Sequence, residues 1–306
     1  MLAALLATSL AQLTPIALSD GGPLGLDDLG VTADGRFLIP EAELGTVLLL
    51  SPDGGAARLQ TSGRGNRKIG SAVLAGDLLI AGDRSQQELL VAGEDKIVDF
   101  PLAAGPDYVR AVGNQIWVTE PSKEQIEILG FTSKPLTVRA LTTIPIAGGP
   151  EALVFDPDHA AAYTFSEKRN RLVRLDLNKH VQTAEWPVAC RGVPKGLATS
   201  FPDGLAFVGC SGGLALTISL RDGHQISRLA VGDGIDIIAF DARKRRLYLP
   251  AGKSAELTIA AVAADGSLRK LRTVPTVARA HCVAVQQGVV LVCDPAHGRL
   301  LRLEDP

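Results

Sequence analysis

The sequence predicts an all-β fold, a seven-bladed β-propeller with four antiparallel strands in each blade. A bend rich in Gly and Pro, followed by an apolar strand, recurs seven times at intervals close to 42 residues. Repeats of roughly 40 to 50 residues with four strands each are typical of propellers. Short aliphatic and β-branched runs bounded by Gly, Pro and Asp fill each interval, and no helical period extends beyond one turn.

The first strand of each unit begins at an equivalent position of the repeat. These positions are Asp27, Ile69, Tyr108, Glu151, Lys195, Asp236 and His281. Their successive intervals are 42, 39, 43, 44, 41 and 45 residues. This regularity predicts blades of nearly equal size.

Three further strands follow in each unit. A first turn, such as residues 32–36 with an Asp-Gly pair, leads to a second strand, such as RFLIP at 36–40 or RLYLP at 246–250. Asp-Gly pairs supply the positive φ angles of tight hairpin turns. A third strand, such as TVLLLS at 46–51, and a second turn, such as SPDG at 51–54, complete the pattern.

The two ends of the chain together make one blade. The last unit supplies only three strands before Pro306, and an orphan outer strand precedes the first unit at Leu13–Ser19. Pairing this strand beside Leu300–Leu303 closes the ring and removes the exposed sheet edges. We therefore expect residues 12–306 to form one domain.

The N-terminus is interpreted as a truncated signal peptide over residues 1–11. Met1–Ala7 is apolar, and Ser9 and Ala11 are small residues in the −3 and −1 positions before Gln12. An apolar N-terminal strand is the alternative. The first interpretation predicts a periplasmic or secreted protein.

The four cysteines predict two disulfides, as an even and sparse count does in an exported chain. A two-residue turn at Gln287–Gly288 places Cys282 opposite Cys293 on antiparallel strands. Cys190 precedes a first strand and Cys210 ends the partnering second strand, which predicts the other bridge. Buried thiols are the alternative.

Composition limits the classes of partner. With a net charge of −2 and 21% charged residues, the chain has no basic excess for general nucleic-acid binding. No apolar run approaches the roughly 18 residues of a membrane span. We expect a monomer that binds a small ligand or a protein.

Short motifs resemble the YVTN type of seven-bladed propeller within the lactonase-like superfamily. They include Gly149-Pro150-Glu151, Gly105-Pro106-Asp107 and Trp117-Val118-Thr119-Glu120. The resemblance implies a propeller fold over nearly the whole chain. The wider group includes lactonase-like enzymes, large subunits of quinoprotein amine dehydrogenases, and surface or periplasmic proteins.

Polar residues converge at one end of the predicted channel, because first strands begin and second strands end there. The channel mouth is predicted to hold Asp27, Lys68, Tyr108, Glu151, Lys195, Asp236 and His281, with Glu41, Asp83, Glu120 and Asp294 outside them. One interpretation is a wet, self-neutralised surface, with lysines beside carboxylates.

A second interpretation is a metal site in one sector of the mouth. Units six, seven and one contribute Asp236, His281, Asp294, Asp27 and Glu41. Carboxylates with an imidazole are suitable ligands for a divalent cation such as Ca²⁺. His281 or Asp236 would then be the catalytic proton carrier.

The first functional hypothesis is therefore an exported, non-enzymatic scaffold that binds its ligand or partner at the channel mouth. The second is a metal-dependent hydrolase of the lactonase or esterase type. The third is a subunit of a periplasmic redox complex.

Overall fold

The computed structural model describes residues 13–61 and 67–305, and in them seven four-stranded antiparallel sheets form a ring. The predicted fold class is confirmed. The predicted signal peptide and most of the bend that joins the first two blades, residues 62–66, lie outside the described residues.

The blades follow one another along the chain. Blade 1 contains β2 (Gly30–Val31), β3 (Phe37–Glu41), β4 (Thr46–Leu50) and β5 (Ala56–Gln60). Blade 2 contains β6 (Ile69–Ala75), β7 (Leu78–Asp83), β8 (Glu88–Ala92) and β9 (Ile97–Pro101). Blade 3 contains β10 (Val109–Val112), β11 (Gln115–Glu120), β12 (Gln125–Ser133) and β13 (Leu136–Pro145). Blade 4 contains β14 (Pro150–Asp156), β15 (Ala161–Ser166), β16 (Arg171–Asp176) and β17 (Val181–Pro187).

The remaining blades repeat this order. Blade 5 contains β18 (Pro194–Ser200), β19 (Leu205–Cys210), β20 (Leu214–Ser219) and β21 (Gln225–Ala230). Blade 6 contains β22 (Ala239–Asp241), β23 (Arg246–Ala251), β24 (Glu256–Val262) and β25 (Leu268–Pro275). Blade 7 contains β26 (Val283–Gln286), β27 (Val289–Asp294), β28 (Arg299–Glu304) and β1 (Thr14–Ala17). Single-turn 3-10 helices occur at Pro121–Lys123, Pro157–His159 and Glu167–Arg169.

The core lies between blades rather than inside any one of them. Second and third strands such as β3, β4 and β7 are buried at every residue, because both of their faces pack against neighbouring blades. The outermost strand β9, in contrast, is only partly buried. Large side chains such as Trp117, Phe165 and Phe207 fill the interfaces.

The N-terminal strand closes the ring. β1 pairs antiparallel with β28, in a register that sets Thr14 opposite Arg302 and Ala17 opposite Arg299. A second joint ties blade 7 to blade 6, because the carboxylate of Asp305 accepts a hydrogen bond of 2.6 Å from the Tyr248 hydroxyl. Asp305 also binds Arg272 at 2.7 Å.

Both predicted disulfides are confirmed. Cys282–Cys293 joins the start of blade 7 to β27, and Cys190–Cys210 joins the bend before blade 5 to β19. Two disulfides favour a location outside the reducing cytoplasm. No helix among the described residues is long and apolar enough to cross a bilayer.

Candidate ligand-binding site

The bends before the first strands bring charged side chains from different blades into contact at one end of the channel. Arg84, from blade 2, bridges two of these bends: its guanidinium lies 2.7 Å from Asp27 and 2.5 Å from Asp107. Its Nε also donates to the carbonyl of Pro106 at 3.2 Å. Arg84 thus links the entrances of blades 1 and 3 across blade 2.

A second ion-paired group lies on blades 4 and 5. The ammonium of Lys195 is 3.0 Å from Glu151 and 2.8 Å from Glu167. Lys195 stays charged, because its two carboxylate partners outweigh the effect of burial and raise its pKa. Lys195 therefore forms ion pairs with two carboxylates at once.

His281 is held in one orientation. Its Nδ1 lies 2.7 Å from the carbonyl of Arg279 and must carry a proton to donate to it. Nε2 then faces Asp27 Oδ1 at 3.6 Å. Burial alone would lower the pKa of His281, but the Asp27 and Arg279 acceptors raise it above its usual value.

Asp236 differs from the other mouth carboxylates. Within residues 13–61 and 67–305, no side chain or backbone group forms a hydrogen bond or a close ion pair with its carboxylate. Burial, and then repulsion from Asp27, raise its pKa. This carboxylate therefore has unused capacity to accept hydrogen bonds.

Tyr108 is a second polar group whose hydrogen-bonding capacity the described residues do not use. The residue is only 7% exposed and lines the channel. In the described part of the chain its hydroxyl has no hydrogen-bond partner, although Arg110 stacks over its ring at 5.2 Å. Burial, and then the negative charges of Glu151 and Asp236, raise its pKa well above 10.0.

Among the residues that the structure describes, the mouth has more carboxyl groups than permanent cations. Five carboxylates, those of Asp27, Asp28, Asp107, Glu151 and Asp236, accompany three permanent cations, Arg84, Arg110 and Lys195. Burial raises the pKa of Asp107 to about 6 against the pull of Arg84. Burial and then Asp107 likewise raise the pKa of Glu151. The excess of acid destabilises the charged carboxylates.

A cavity of about 240 Å³ lies directly below the mouth. Asp28 forms a bidentate pair with Arg110 on one wall, at 2.6 and 2.8 Å, and accepts from the Ser71 hydroxyl. Most of the other lining residues are aliphatic or aromatic, including Leu153, Val154, Leu197, Ile237, Phe240 and Val283, but the surface exposed to the cavity is as polar as it is apolar. The channel therefore has a charged mouth and an interior of mixed polarity.

The structure brings some of the predicted site residues together and separates others. One ligand atom from each of Asp27, Asp236 and His281 lies within 4.8 Å of the other two. Glu41 and Asp294 are instead completely buried and bind Arg58 at 2.6 Å and Arg299 at 2.7 Å. The ammonium of Lys68 lies 2.9 Å from Glu43 and is half exposed.

Sequence reasoning missed Arg84, Asp107, Asp28 and Arg110 as site residues. Two signals were available. Asp107 directly precedes Tyr108 at the end of a Gly-Pro-Asp bend, and Arg110 follows Tyr108 by two residues, the spacing that puts both on one face of a strand. Arg84 had no such signal, because its partners come from two other blades.

Asp27, Asp236 and His281 are a set of donors that fits a divalent cation. The bond from His281 Nδ1 to a carbonyl fixes the ring so that Nε2 faces the two carboxylates, as in histidines that bind metals. Asp236 has a free carboxylate within the described chain, whereas Asp27 is shared with Arg84. A bound cation would act as a Lewis acid toward a carbonyl oxygen.

Comparisons with known proteins support the fold. No protein-family model matches the chain, and no curated protein matches it in sequence. A streptogramin B lyase structure superimposes with a TM-score of 0.76 at 14% identity, covering 95% of this chain and 96% of that one. A mitotic checkpoint complex chain gives 0.78 at 11% identity, covering 96% and 92%. The WD40 repeats of RRP9 give 0.75 at 10% identity, covering 96% and 97%.

These likenesses show a seven-bladed propeller and no more specific family. The assignment to the YVTN or lactonase-like group stays a prediction.

Proposed function

We propose that this protein is an exported, monomeric binding protein whose channel mouth recognises an organic ammonium group. The observation that carries the proposal is the Asp236 carboxylate, which lies among other acids and has no hydrogen bond or close ion pair in the described chain. His281, Lys195 and Arg84 attract this carboxylate, but none of them forms a direct ion pair with it. A partly buried carboxylate without a direct partner is costly, and a cationic ligand offsets that cost.

The neighbours of Asp236 support a cation rather than an anion. Asp107 and Glu151 have raised pKa values because of burial, and nearby carboxylates contribute to the increase in both. A bound ammonium would relieve this repulsion by adding the missing positive charge. The Tyr108 hydroxyl, which the charge of Asp236 influences, would supply a further hydrogen-bonding group at the channel.

Export is supported by the two disulfides, which persist in oxidising compartments. The signal-peptide interpretation of residues 1–11 agrees with it but lies outside the described residues.

Titration calorimetry with ethylammonium chloride at pH 7.5 and low ionic strength tests the proposal. We expect saturable binding by the wild-type protein and a loss of about tenfold or more in Asp236→Asn, since a charge-assisted bond contributes roughly 1.5 to 3 kcal/mol. The matched control is Asp233→Asn, an exposed carboxylate on the bend that carries Asp236, which pairs with Arg191 on the bend before blade 5. Equal binding by both variants would refute the proposal.

The second candidate function is a metal-dependent hydrolase of the lactonase type. The clustering of Asp27, Asp236 and His281 ligand atoms within 4.8 Å favours it. Elemental analysis of the purified protein separates the two functions. A stoichiometric divalent ion that is lost in both Asp236→Asn and His281→Ala would favour the hydrolase. Metal-free protein that binds ethylammonium would favour the binding protein.

A further inference from the structure

We propose that the outer surface of blade 6 binds to anionic phospholipid membranes. This surface consists of β25 and of residues 241–246, which include the turn between β22 and β23, and we call it the basic patch. It contains seven Lys and Arg residues: Arg243, Lys244, Arg245, Arg246, Arg269, Lys270 and Arg272. The whole chain has a net charge of −2, so this concentration of cations is a local property of one blade.

Some cations of the basic patch are already paired within the protein. The Asp305 carboxylate accepts from Arg246 at 2.6 Å and from Arg272 at 2.7 Å. Asp203 pairs with Arg245 at 2.8 Å. These three arginines therefore hold blade 6 to its two neighbours.

The other cations are not neutralised by the turns that carry them. The carboxylates of Asp241 and Asp265 accept hydrogen bonds from backbone N–H groups of their own turns. Among the described residues, the side chains of Arg243, Arg269 and Lys270 have no hydrogen bond or ion pair, and all three are exposed. Unpaired cations on a surface attract an anionic partner over about 10 Å at 0.1 M salt.

The directions of these side chains favour a broad anionic surface over a single small anion. Arg246, Ala261 and Arg269 are directly paired across β23, β24 and β25, so they lie on one face of the blade. Lys270 follows Arg269 in the strand and points to the opposite face. A small anion on either face would contact only one of these two residues. A layer of lipid phosphates along the outer edge of β25 can reach both.

An apolar side chain lies among the cations. The register between β24 and β25 shifts at Ala260, which makes Leu271 an extra residue between Lys270 and Arg272. Leu271 is 39% exposed. An exposed leucine flanked by cations matches the boundary between lipid headgroups and acyl chains, where phosphate and hydrocarbon are adjacent. This combination favours a lipid surface over an acidic protein.

Membrane binding at the basic patch is compatible with an open channel. Ala239 and Phe240 of β22 line the channel, whereas β25 is the outermost strand of the same sheet. A membrane against β25 therefore leaves the channel mouth accessible, and the proposal does not depend on what binds there.

Co-sedimentation with phosphatidylcholine vesicles that contain about one third phosphatidylserine tests the proposal, with pure phosphatidylcholine vesicles for comparison. We expect the wild-type protein to bind the anionic vesicles at low ionic strength and to be released by about 0.5 M salt, which shortens the screening length. Equal binding to both kinds of vesicle, or binding to neither, would refute the proposal. Binding to polyglutamate without binding to anionic vesicles would assign the patch to an acidic protein instead and would also refute it.

A triple variant locates the binding surface. Arg243→Gln, Arg269→Gln and Lys270→Gln together remove the three unpaired cations. We expect the partition coefficient to fall by about fivefold for each charge, or roughly a hundredfold in all, since each cation near an anionic surface contributes about 1 kcal/mol.

The matched control removes the same charge from blades 3 and 4. It replaces three exposed lysines by glutamine: Lys123, Lys134 and Lys179. We expect this control to bind anionic vesicles within about fivefold of the wild-type protein, as for cations that lie away from the membrane surface. An equal loss in both triple variants would show that only net charge matters and would overturn the location.

A single variant tests the contact of Leu271 with the membrane. We expect Leu271→Ser to weaken partition severalfold while leaving its salt dependence and the melting temperature unchanged, because the residue is exposed and uncharged. Unchanged partition would overturn the choice of lipid over an acidic protein, since that choice depends on this side chain.

Discussion

Two sets of carboxylates lie at the same end of the ring, and their surroundings differ. The outer carboxylates, at the ends of second strands, are Glu41, Asp83, Glu120 and Asp294. All four are completely buried. The mouth carboxylates include Asp27, Asp107 and Asp236, which are partly exposed around the channel. Judged by burial alone, the outer carboxylates would be expected to be the more perturbed of the two sets.

The hydrogen-bond partners of the two sets lead to the opposite conclusion. Asp83 accepts from the backbone N–H groups of Lys68, Ser85 and Gln86, and Asp294 accepts from Arg299 and His297. Asp236 accepts from no described residue. A buried acid with several donors fixes the loop that supplies them, whereas a less buried acid without donors is available to a ligand.

The largest loss of stability is expected for a substitution among the outer carboxylates. Asp294→Ala removes the completely buried carboxylate that pairs with Arg299, whose side chain is 35% exposed. We expect a loss of about 1.5 to 3 kcal/mol of unfolding free energy, since hydrogen bonds to charged groups contribute about that much. Urea unfolding at pH 7 measures it, and a loss below about 1 kcal/mol would contradict the structural role of this set.

Among the mouth carboxylates, Asp107 should make the stability of the protein depend on pH. The pKa of Asp107 is about 6 in the folded protein against 3.8 for the free side chain. A carboxyl with a raised pKa binds its proton more tightly when folded, so ionisation favours unfolding. Its contribution to stability should therefore fall as pH rises from about 4 to about 6 and then stay constant. Each tenfold difference in proton affinity between the folded and unfolded protein corresponds to about 1.4 kcal/mol.

The matched comparison is the unfolding free energy of Asp107→Asn over the same range. Because the asparagine does not titrate, the difference between variant and wild type should move in favour of the variant between pH 4 and pH 6.5. A difference that is constant with pH would show that Asp107 titrates normally.

A smaller gain is expected from Asp236→Asn in the absence of ligand. This substitution removes a carboxylate that Asp27 repels and that no described donor compensates. We expect the unfolding free energy at pH 7 to rise by about 1 kcal/mol, as for surplus like charges in a partly buried site. Destabilisation instead would indicate that Asp236 has a structural partner.

The smallest change in stability is expected at the exposed ion pair of Lys68 and Glu43. Lys68 and Glu43 pair at 2.9 Å, but their side chains are 53% and 44% exposed. Exposed pairs contribute about 0 to 1 kcal/mol. Lys68→Ala should therefore change the urea midpoint only slightly. The affinity for ethylammonium should stay within about twofold of the wild-type value, since the charge of Lys68 is paired with Glu43 and screened by solvent.

The sequence predicted the fold well, because the spacing of bends and strands is a local property. The ring closure followed from an orphan strand before the first unit and a last unit of only three strands, and Cys282 with Cys293 followed from one hairpin register. The convergence of Asp27, Asp236 and His281 followed from the equivalent positions of the repeat.

Side-chain partners were less predictable than positions. Glu41 and Asp294 end second strands, as expected, yet their carboxylates bind Arg58 on β5 and Arg299 at the start of β28, within their own blades. Arg84 reaches two bends that are 80 residues apart in sequence, Asp27 and Asp107. Such choices depend on rotamers and on the curvature of the ring, which the strand pattern does not encode.

The pairing of β1 with β28 has a consequence for biosynthesis. β1 precedes every other strand of the propeller in the chain, and its partner, Arg299–Arg302, is made only after the strands of the other six blades. Until then six sheets can form in succession, but the circle stays open and its two end faces stay wet. Closure of the ring is therefore the last step in assembling the seven blades, and it depends on a contact between the first and last strands of the propeller.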